Sequence, residues 1–118
     1  MKRIAIIEAR MKSSRLPGKV LKPILGRPML EMLVERIKRS RCLDQVVIAT
    51  TVSGSDDPIV ELAEKLGVGC FRGSEEDVLD RVLSAAHEYN ADVIVEITGD
   101  CPLIESKKID DMLKAYHY

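Results

Sequence analysis

The sequence predicts an α/β protein of three layers (α/β/α), in which helices cover both faces of a mainly parallel sheet. Short apolar runs of strand length alternate along the chain with longer segments whose apolar residues recur at helical spacing. The first run, at residues 2–8, is typical of a strand buried on both faces, as in parallel sheets. Alternation of this kind implies parallel strands connected by right-handed crossovers.

The predicted strands are short runs rich in aliphatic residues. They lie at residues 2–8, 46–49, 68–71 and 93–97. A long loop at residues 9–27 separates the first strand from the first helix. In a parallel sheet the first and the last of these strands can be neighbours, and the loops that follow them would then meet at one edge of the sheet.

Each strand is followed by a predicted helix with an apolar face and recognisable ends. Pro28 suits the first turn of the first helix. Asp57-Pro58 is expected to cap the second helix, and Gly67 to end it. The segment Ser74–Asp77 resembles a capping box before the third helix, and Ser106 is the expected cap of the last.

Length and composition limit the class of protein. The 118 residues suit one domain or part of one, and a hydrophobic content of 46% is enough for a packed core. The net charge of −1 argues against a nucleic-acid or membrane-surface binder, which usually carries a basic excess. The 3 cysteines and 2 histidines lack the spacing of a zinc site. With no apolar run of membrane-spanning length and no signal peptide, we expect a cytoplasmic location.

Positive charge is concentrated in the loop that follows the first strand. Between Ala9 and Arg27 there is no acidic residue, whereas the whole chain has 18 Lys+Arg and 19 Asp+Glu. The cations of this stretch are Arg10, Lys12, Arg15, Lys19, Lys22 and Arg27. Ligands of open α/β sheets bind at the carboxyl ends of strands, and arginine and lysine neutralise clustered phosphate oxygens. The loop therefore predicts a polyphosphate site; the alternative interpretation is a solvated surface loop.

A second candidate lies where the last strand ends, in the sequence Thr98-Gly99-Asp100. A carboxylate there can bind a hard cation such as Mg²⁺, which prefers oxygen ligands and takes few of them from the protein. The alternative is that Asp100 only stabilises a turn, because Gly-Asp is ordinary turn chemistry. If the first and last strands are neighbours, a metal at Asp100 and the basic loop would share the phosphates of one ligand. Together the two features predict a nucleoside triphosphate more strongly than either does alone.

Three segments resemble the cytidylyltransferases of sugar acids, with the greatest resemblance to the spore coat polysaccharide biosynthesis protein F group. They are ARMKSSRLPGKVL, FRGSEEDVLDRV and ITGDCPLI. The resemblance implies a nucleotide-diphospho-sugar transferase fold, GT-A-like and Rossmann-like. It also implies the reaction of CTP with a sugar acid to give a CMP-sugar and pyrophosphate, with Mg²⁺, in polysaccharide or glycan biosynthesis. Such enzymes are considerably longer, so we expect residues 1–118 to be the N-terminal, nucleotide-binding part of a truncated domain.

The resemblance assigns roles at the phosphate end of the ligand. It implies that Arg10 and Lys19 are the catalytic cations that face the triphosphate, and that Arg15 lies in the same basic loop. It implies that Asp100 is the metal ligand. A serine of the loop, Ser13, could donate a hydrogen bond to a phosphate oxygen, although loop serines usually bond to nearby backbone groups.

At the other end of the ligand, the resemblance places the backbone of Ala9 near the base or ribose. It implies that Gly73 and Ser74 approach the base and that Arg81 belongs to the same nucleotide-binding motif. A simpler explanation of Arg81 is an ion pair with Asp77, which lies four residues earlier on the same predicted helix.

Some positions depart from the family pattern. Lys12 stands where relatives commonly have glycine or alanine, Glu8 where they often have glutamine or proline, and Glu96 where they often have arginine. The first change could crowd the phosphate site or add a cation to it. The last places negative charge just before the expected metal ligand.

Other functions remain open at this stage. A glycosyltransferase of the same fold would bind a nucleotide sugar, but the sequence lacks its usual Asp-x-Asp motif, and Asp110-Asp111 is predicted to be solvated helix surface. A non-catalytic nucleotide-binding module and an interaction protein without a nucleotide site are further alternatives. The expected partners are CTP or another nucleoside triphosphate and a sugar acceptor, without nucleic acid or membrane; a homodimer is one assembly the protein could form.

Overall fold

The computed structural model describes residues 1–12, 18–24, 26–99 and 106–116, and of Lys19, Ile24 and Tyr116 it describes only the backbone. The strands are β1 (Arg3–Glu8), β2 (Pro23–Ile24), β3 (Arg27–Pro28), β4 (Gln45–Thr51), β5 (Gly69–Gly73) and β6 (Val93–Thr98). The helices are α1 (Met29–Lys38), α2 (Asp57–Leu66), α3 (Val78–Glu88) and α4 (Ser106–Tyr116). Short 3₁₀ turns lie at Lys19–Leu21 and Gly54–Asp56.

The main sheet is parallel and has the spatial order β5-β4-β1-β6. β1 lies in the middle and pairs with β4 on one side and with β6 on the other. At its carboxyl end, Glu8 is in register with Ala49 of β4 and with Thr98 of β6. The prediction that the first and last strands are neighbours is therefore confirmed, as is the mainly parallel α/β class.

The two faces of the sheet bury different helices, because alternate residues of each strand point to opposite sides. Ala5 and Ile7 pack in the cluster that contains residues of α1, α2 and α4. Ile4 and Ile6 pack in a second cluster with Val82 of α3. The predicted three layers are thus present, and the sheet presents its strand ends to the loops. Within the described part of the chain, no helix is both long enough and apolar enough to cross a membrane.

The long loop after β1 contains two short strands that were not predicted from the sequence. Its second half forms a small antiparallel pair between β2 and β3, with Pro23 opposite Pro28. Gly26 lies between these strands with φ of +82°, a conformation that glycine adopts without the steric cost of a side chain. Strands of two residues are too short to show a period-two pattern, which explains why the segment was predicted as loop.

The observed helix ends confirm one prediction from the sequence and show that two others were wrong. Gly67 ends α2 in the left-handed conformation with φ of 70°, as predicted. The start of α2 was assigned wrongly: Asp57 is its first helical residue, and the capping position belongs to Asp56. The capping-box prediction at Ser74–Asp77 was also wrong in register, because Asp77 is the cap and its Oδ1 accepts the Asp80 N–H at 3.0 Å.

Candidate functional site

The carboxyl ends of β1 and β6 are in close contact, which brings the basic loop next to the segment that precedes Asp100. The Gly99 N–H donates to the Glu8 carbonyl at 2.8 Å and extends the pairing of the two strands. A Cβ at Gly99 would lie 2.9 Å from that carbonyl oxygen, 3.0 Å from the Ala9 Cβ and 3.3 Å from the Val20 Cγ1. Gly99 therefore permits an approach that a side chain would prevent, and the chain neighbours of Lys19 and Asp100 are packed together.

Ala9 and Arg10 continue from β1 into this edge. The Ala9 N–H donates to the Ala49 carbonyl at 3.1 Å, and Ala9 is buried. Of its backbone polar groups, only the carbonyl could face a nucleotide. Arg10 is exposed, and its Nη1 donates to the Glu75 carbonyl at 3.2 Å. This long bond at an exposed site is one that a phosphate oxygen could replace.

The basic loop is closed at its base by backbone hydrogen bonds. The Gly18 N–H donates to the Met11 carbonyl at 2.7 Å, and Gly18 has φ of +74°. The Met11 N–H donates in turn to Oδ1 of Asp56 at 2.6 Å. Residues 11 and 18 are thus joined to each other and to the start of α2.

Arg81 is completely buried, although arginine is rarely so without a partner. Its Nη2 lies 3.2 Å from Oε2 of Glu8, and its Nη1 donates to the Ser74 carbonyl at 3.0 Å. The ion pair with Asp77 that the sequence suggested is wrong, because that carboxylate caps α3 and the partner of Arg81 is Glu8. Arg81 therefore joins β1 to the loop after β5 from inside the protein, and Glu8, a departure from the family pattern, supplies the counter-charge.

Gly73 makes this packing possible. A Cβ added there would lie 2.8 Å from the Phe71 ring and 3.3 Å from the Cγ of Arg81. The glycine therefore lets α3 approach the end of β5 closely enough for Arg81 to reach the Ser74 carbonyl. Ser74 itself is partly exposed, and its Oγ accepts the Asp77 N–H at 3.0 Å.

Arg72 fixes the loop between β4 and α2. It donates to the Thr51 carbonyl at 2.7 Å and to the Ser53 carbonyl at 2.6 Å, and its Nη1 lies 2.9 Å from Oδ1 of Asp57. Neither Arg72 nor Asp56 was predicted from the sequence as a residue of the site. Asp56 stands beside Asp57 in a turn-like sequence, and Arg72 lies in a short strand, so only the folded contacts distinguish them.

The positive charge that the sequence concentrates in the loop is partly neutralised in the fold. Arg27 donates from Nε to Oε2 of Glu31 at 2.7 Å and forms a second ion pair with Glu35. These carboxylates, Glu35 first, hold the pKa of the Arg27 guanidinium above its usual value, and Arg27 lowers the pKa of Glu35. The side chain of Arg27 is thus directed to α1.

Several predicted site residues cannot be placed. Ser13, Arg15 and Asp100 lie outside the described residues, and for Lys19 the side chain does. Among the residues that are described, no group of three or more histidine, cysteine, aspartate or glutamate side chains could hold a metal ion. Glu96 is exposed on β6. The assignments of these residues to phosphate and metal therefore stay predictions.

Comparison with known proteins identifies the family. The family model for cytidylyltransferases matches residues 4–117. Spore coat polysaccharide biosynthesis protein SpsF of Bacillus subtilis is 41% identical over an alignment of 115 residues, which covers 94% of this chain and 48% of that protein.

Two solved structures have the same fold over nearly the whole chain. One is a cytidylyltransferase from Leptospira borgpetersenii, with a TM-score of 0.93 and 46% identity over 99% of this chain and 50% of that one. The other is a CMP:2-keto-3-deoxy-manno-octonic acid synthetase complexed with CTP, with a TM-score of 0.83 and 29% identity over 98% of this chain and 47% of that one. The chain thus spans about half the length of the relatives it matches. On the match of its sequence to the family model, it belongs to the cytidylyltransferase family.

Proposed function

We propose that residues 1–118 form the nucleotide-binding part of a cytidylyltransferase. The reaction is the transfer of CMP from CTP to a sugar acid, with release of pyrophosphate. The proposal follows from the family of the chain and from its similarity to SpsF and to a synthetase whose structure was solved with CTP. The sugar acid is proposed on the same grounds, and a surface polysaccharide or glycan is the expected destination of the product.

The observation that carries the proposal is the contact between the ends of β1 and β6. The Gly99 N–H donates to the Glu8 carbonyl, and a Cβ at Gly99 would meet both Ala9 and Val20. Lys19, which precedes Val20, and Asp100, which follows Gly99, therefore start from neighbouring backbone positions. A cation and a carboxylate that start from such neighbouring backbone positions can act on the same triphosphate. The loop at Ser74 and Glu75 joins this edge through Arg10 and Arg81, which supports a base site there.

The chemistry needs orientation and charge neutralisation more than a protein nucleophile. The sugar hydroxyl oxygen attacks the α-phosphorus in line and its proton passes to water, while the bond from that phosphorus to the bridging oxygen breaks and pyrophosphate leaves. Arg10 and Lys19 would neutralise charge on the phosphate oxygens. Asp100 would hold Mg²⁺, which, when bound, neutralises further charge on the phosphates. The exposed Arg10 would exchange its bond to the Glu75 carbonyl for one to phosphate.

The proposal is tested by nucleotide binding and product formation in the full-length protein. Thermal unfolding with CTP, UTP, GTP and ATP, with and without Mg²⁺, should show the largest stabilisation with CTP and Mg²⁺. Lys19→Ala and Asp100→Ala should each abolish it, whereas Lys107→Ala on the exposed surface of α4 should not. Pyrophosphate release on addition of candidate sugar acids then identifies the acceptor. Unchanged binding by both variants would contradict these assignments.

A further inference from the structure

Asp56 is a buried carboxylate that does not serve the helix it precedes. It occupies the capping position of α2 and is 2% exposed, yet it makes no side-chain hydrogen bond to the first turn of that helix. An aspartate at this position ordinarily accepts such a bond. The burial of this carboxylate therefore needs another explanation, because an ionised group removed from water is costly unless it is well paired.

Both oxygens of Asp56 are used by other parts of the chain. Oδ1 accepts the Met11 N–H at 2.6 Å across a separation of 45 residues, and Oδ2 accepts the Thr51 hydroxyl. The hydroxyl also accepts the Ser53 N–H at 3.2 Å, and Arg72 holds the carbonyls of residues 51 and 53. Asp56 is thus fixed by its own loop and presents one oxygen to the chain that leaves β1.

The consequence concerns the orientation of the basic loop. Ala9 is held by β4, and Met11 is held by Asp56. Arg10 lies between these two fixed backbone positions, so its direction is set by both. Because Gly18 is bonded to Met11, the attachment at Asp56 also acts on the residue before Lys19. Backbone positions that are held in this way lose less conformational entropy when a ligand binds than positions that must be ordered by that ligand.

We propose that Asp56 is a positioning residue of the triphosphate site, which holds the backbone of Met11 and thereby sets the direction of Arg10 and, through Gly18, the backbone position of Lys19. This inference rests on the function proposed above. Asp56 acts through the loop and does not touch the nucleotide. Its loss should weaken nucleotide binding more than it slows the reaction at saturating nucleotide.

The variants Asp56→Ala and Asp56→Asn, with Asp57→Ala as matched control, separate positioning from simple stability. The alanine variant removes both acceptors. The asparagine variant keeps an oxygen for the Met11 N–H, and its amide can donate to Thr51 in place of receiving from it. Asp57 is the adjacent carboxylate at the same helix end, and within the described residues its ion-pair partner is Arg72.

Nucleotide binding gives the first readout in the full-length protein. We expect Asp56→Ala to raise the KM for CTP about tenfold with kcat changed less than about threefold, as for a loop that must be ordered by its ligand. Asp56→Asn should restore the KM to within about threefold of the unsubstituted protein, and Asp57→Ala should leave it unchanged. A KM for Asp56→Ala equal to that of Asp57→Ala would overturn the proposal.

Amide hydrogen exchange without nucleotide gives the second readout. In the unsubstituted protein the Met11 and Gly18 amides should be protected, and Asp56→Ala should speed exchange of both by at least about tenfold. If Asp56→Ala does not fold, an unprotected Met11 amide in the unsubstituted protein still overturns the proposal. Failure of the proposed function has a different signature, in which no nucleotide raises the melting temperature while the Met11 amide is protected and Asp56→Ala exposes it.

Discussion

Carboxylates lie at both ends of the parallel strands, which we call the amino edge and the carboxyl edge of the sheet. Their surroundings differ between the two edges. At the amino edge, Asp44 accepts the Arg3 N–H at 2.7 Å and Asp92 accepts the Lys2 N–H at 2.6 Å. Both carboxylates are exposed, and each belongs to the turn that begins a strand next to β1. At the carboxyl edge, Asp56 is buried and Glu8 is paired with the fully buried Arg81.

We interpret the difference as a sign that the carboxyl edge has a task beyond forming the sheet. An exposed carboxylate beside a strand end costs little free energy, because water can solvate it when its hydrogen bond to the backbone N–H breaks. A buried charge costs several kcal/mol unless each of its bonds is made, and hydrophobic residues of similar size often stabilise a fold equally well. Buried charges at the carboxyl edge are explained if their role is to hold the loops of a binding site in one arrangement. The following variants test that interpretation, from the largest expected effect to the smallest.

Arg81→Ala should have the largest effect. It leaves Glu8 without its counter-charge, leaves the Ser74 carbonyl without its donor and opens a cavity, so we expect a loss of about 3–5 kcal/mol in the free energy of unfolding. Urea denaturation measures this loss. Lys107→Ala, which breaks the exposed pair with Asp111, is the control and should cost less than about 1 kcal/mol. Equal losses in the two variants would mean that burial of the pair at the carboxyl edge has no energetic importance.

Gly99→Ala should have the next largest effect. The added Cβ would meet the backbone oxygen of Glu8 at 2.9 Å, and β1 and β6 must separate at their carboxyl ends to admit it. We expect a loss of about 1–3 kcal/mol in stability together with weaker binding of CTP. Gly54→Ala is the matched control, because a Cβ there has no atom within 4 Å. Urea denaturation measures the stability of both variants, and titration measures their affinity for CTP. Tight CTP binding by Gly99→Ala would argue against a site at this contact.

Asp92→Ala tests the amino edge. It removes the acceptor of the Lys2 N–H in exposed surroundings, so we expect a loss of about 1 kcal/mol in stability and no change in the affinity for CTP. The contrast with Asp56→Ala, which should raise the KM for CTP, is the most direct comparison of the two edges. An altered CTP affinity in Asp92→Ala would show that the division between the edges is wrong.

Asp110→Asn should have the smallest effect, and that effect should depend on pH. The Ser40 hydroxyl, followed by the backbone N–H groups of Arg41 and Cys42, lowers the pKa of the Asp110 carboxyl. Its stabilising contribution is therefore present above the ordinary aspartate pKa and is lost as pH falls through the lowered value. The stability difference from the unsubstituted protein should be largest near neutral pH and disappear in acid, as followed by thermal unfolding. A stability difference that stays constant with pH would contradict this interpretation.

The fold was predictable because its main signals are local. Apolar runs and helical spacing gave the strands of the sheet, and Gly67 marked the end of α2 in the conformation that only glycine adopts readily. The exact residue at which a helix begins was less predictable. Asp56 and Asp57 are identical in type and adjacent in sequence, so which of them occupies the capping position depends on Met11 and Thr51, which are brought there by the fold.

The meeting of the two loops was predictable, because charge and position in the sequence coincide there, whereas the side chains that act from the interior were not predictable. The basic loop and the glycine before Asp100 lie directly after strands, so their convergence follows from the order of the sheet. The nucleotide-binding role of Arg81 stays a prediction, whereas the predicted pair with Asp77 was wrong, because Arg81 is buried against Glu8 at a separation of 73 residues. Asp110, which was predicted to be solvated surface, accepts backbone N–H groups of Arg41 and Cys42. Contacts over such separations leave no local pattern.

The ion pairs of Arg27 with Glu31 and Glu35 have a kinetic consequence. A polyanion that approaches from a distance responds to the summed field of a surface and not to a count of basic side chains. Arg27 and its carboxylate neighbours act at that range as a small cluster without positive excess. Under the proposed function, the rate of nucleotide capture, and the slope with which it falls as salt is added, should accordingly reflect fewer cations than the sequence contains in this stretch.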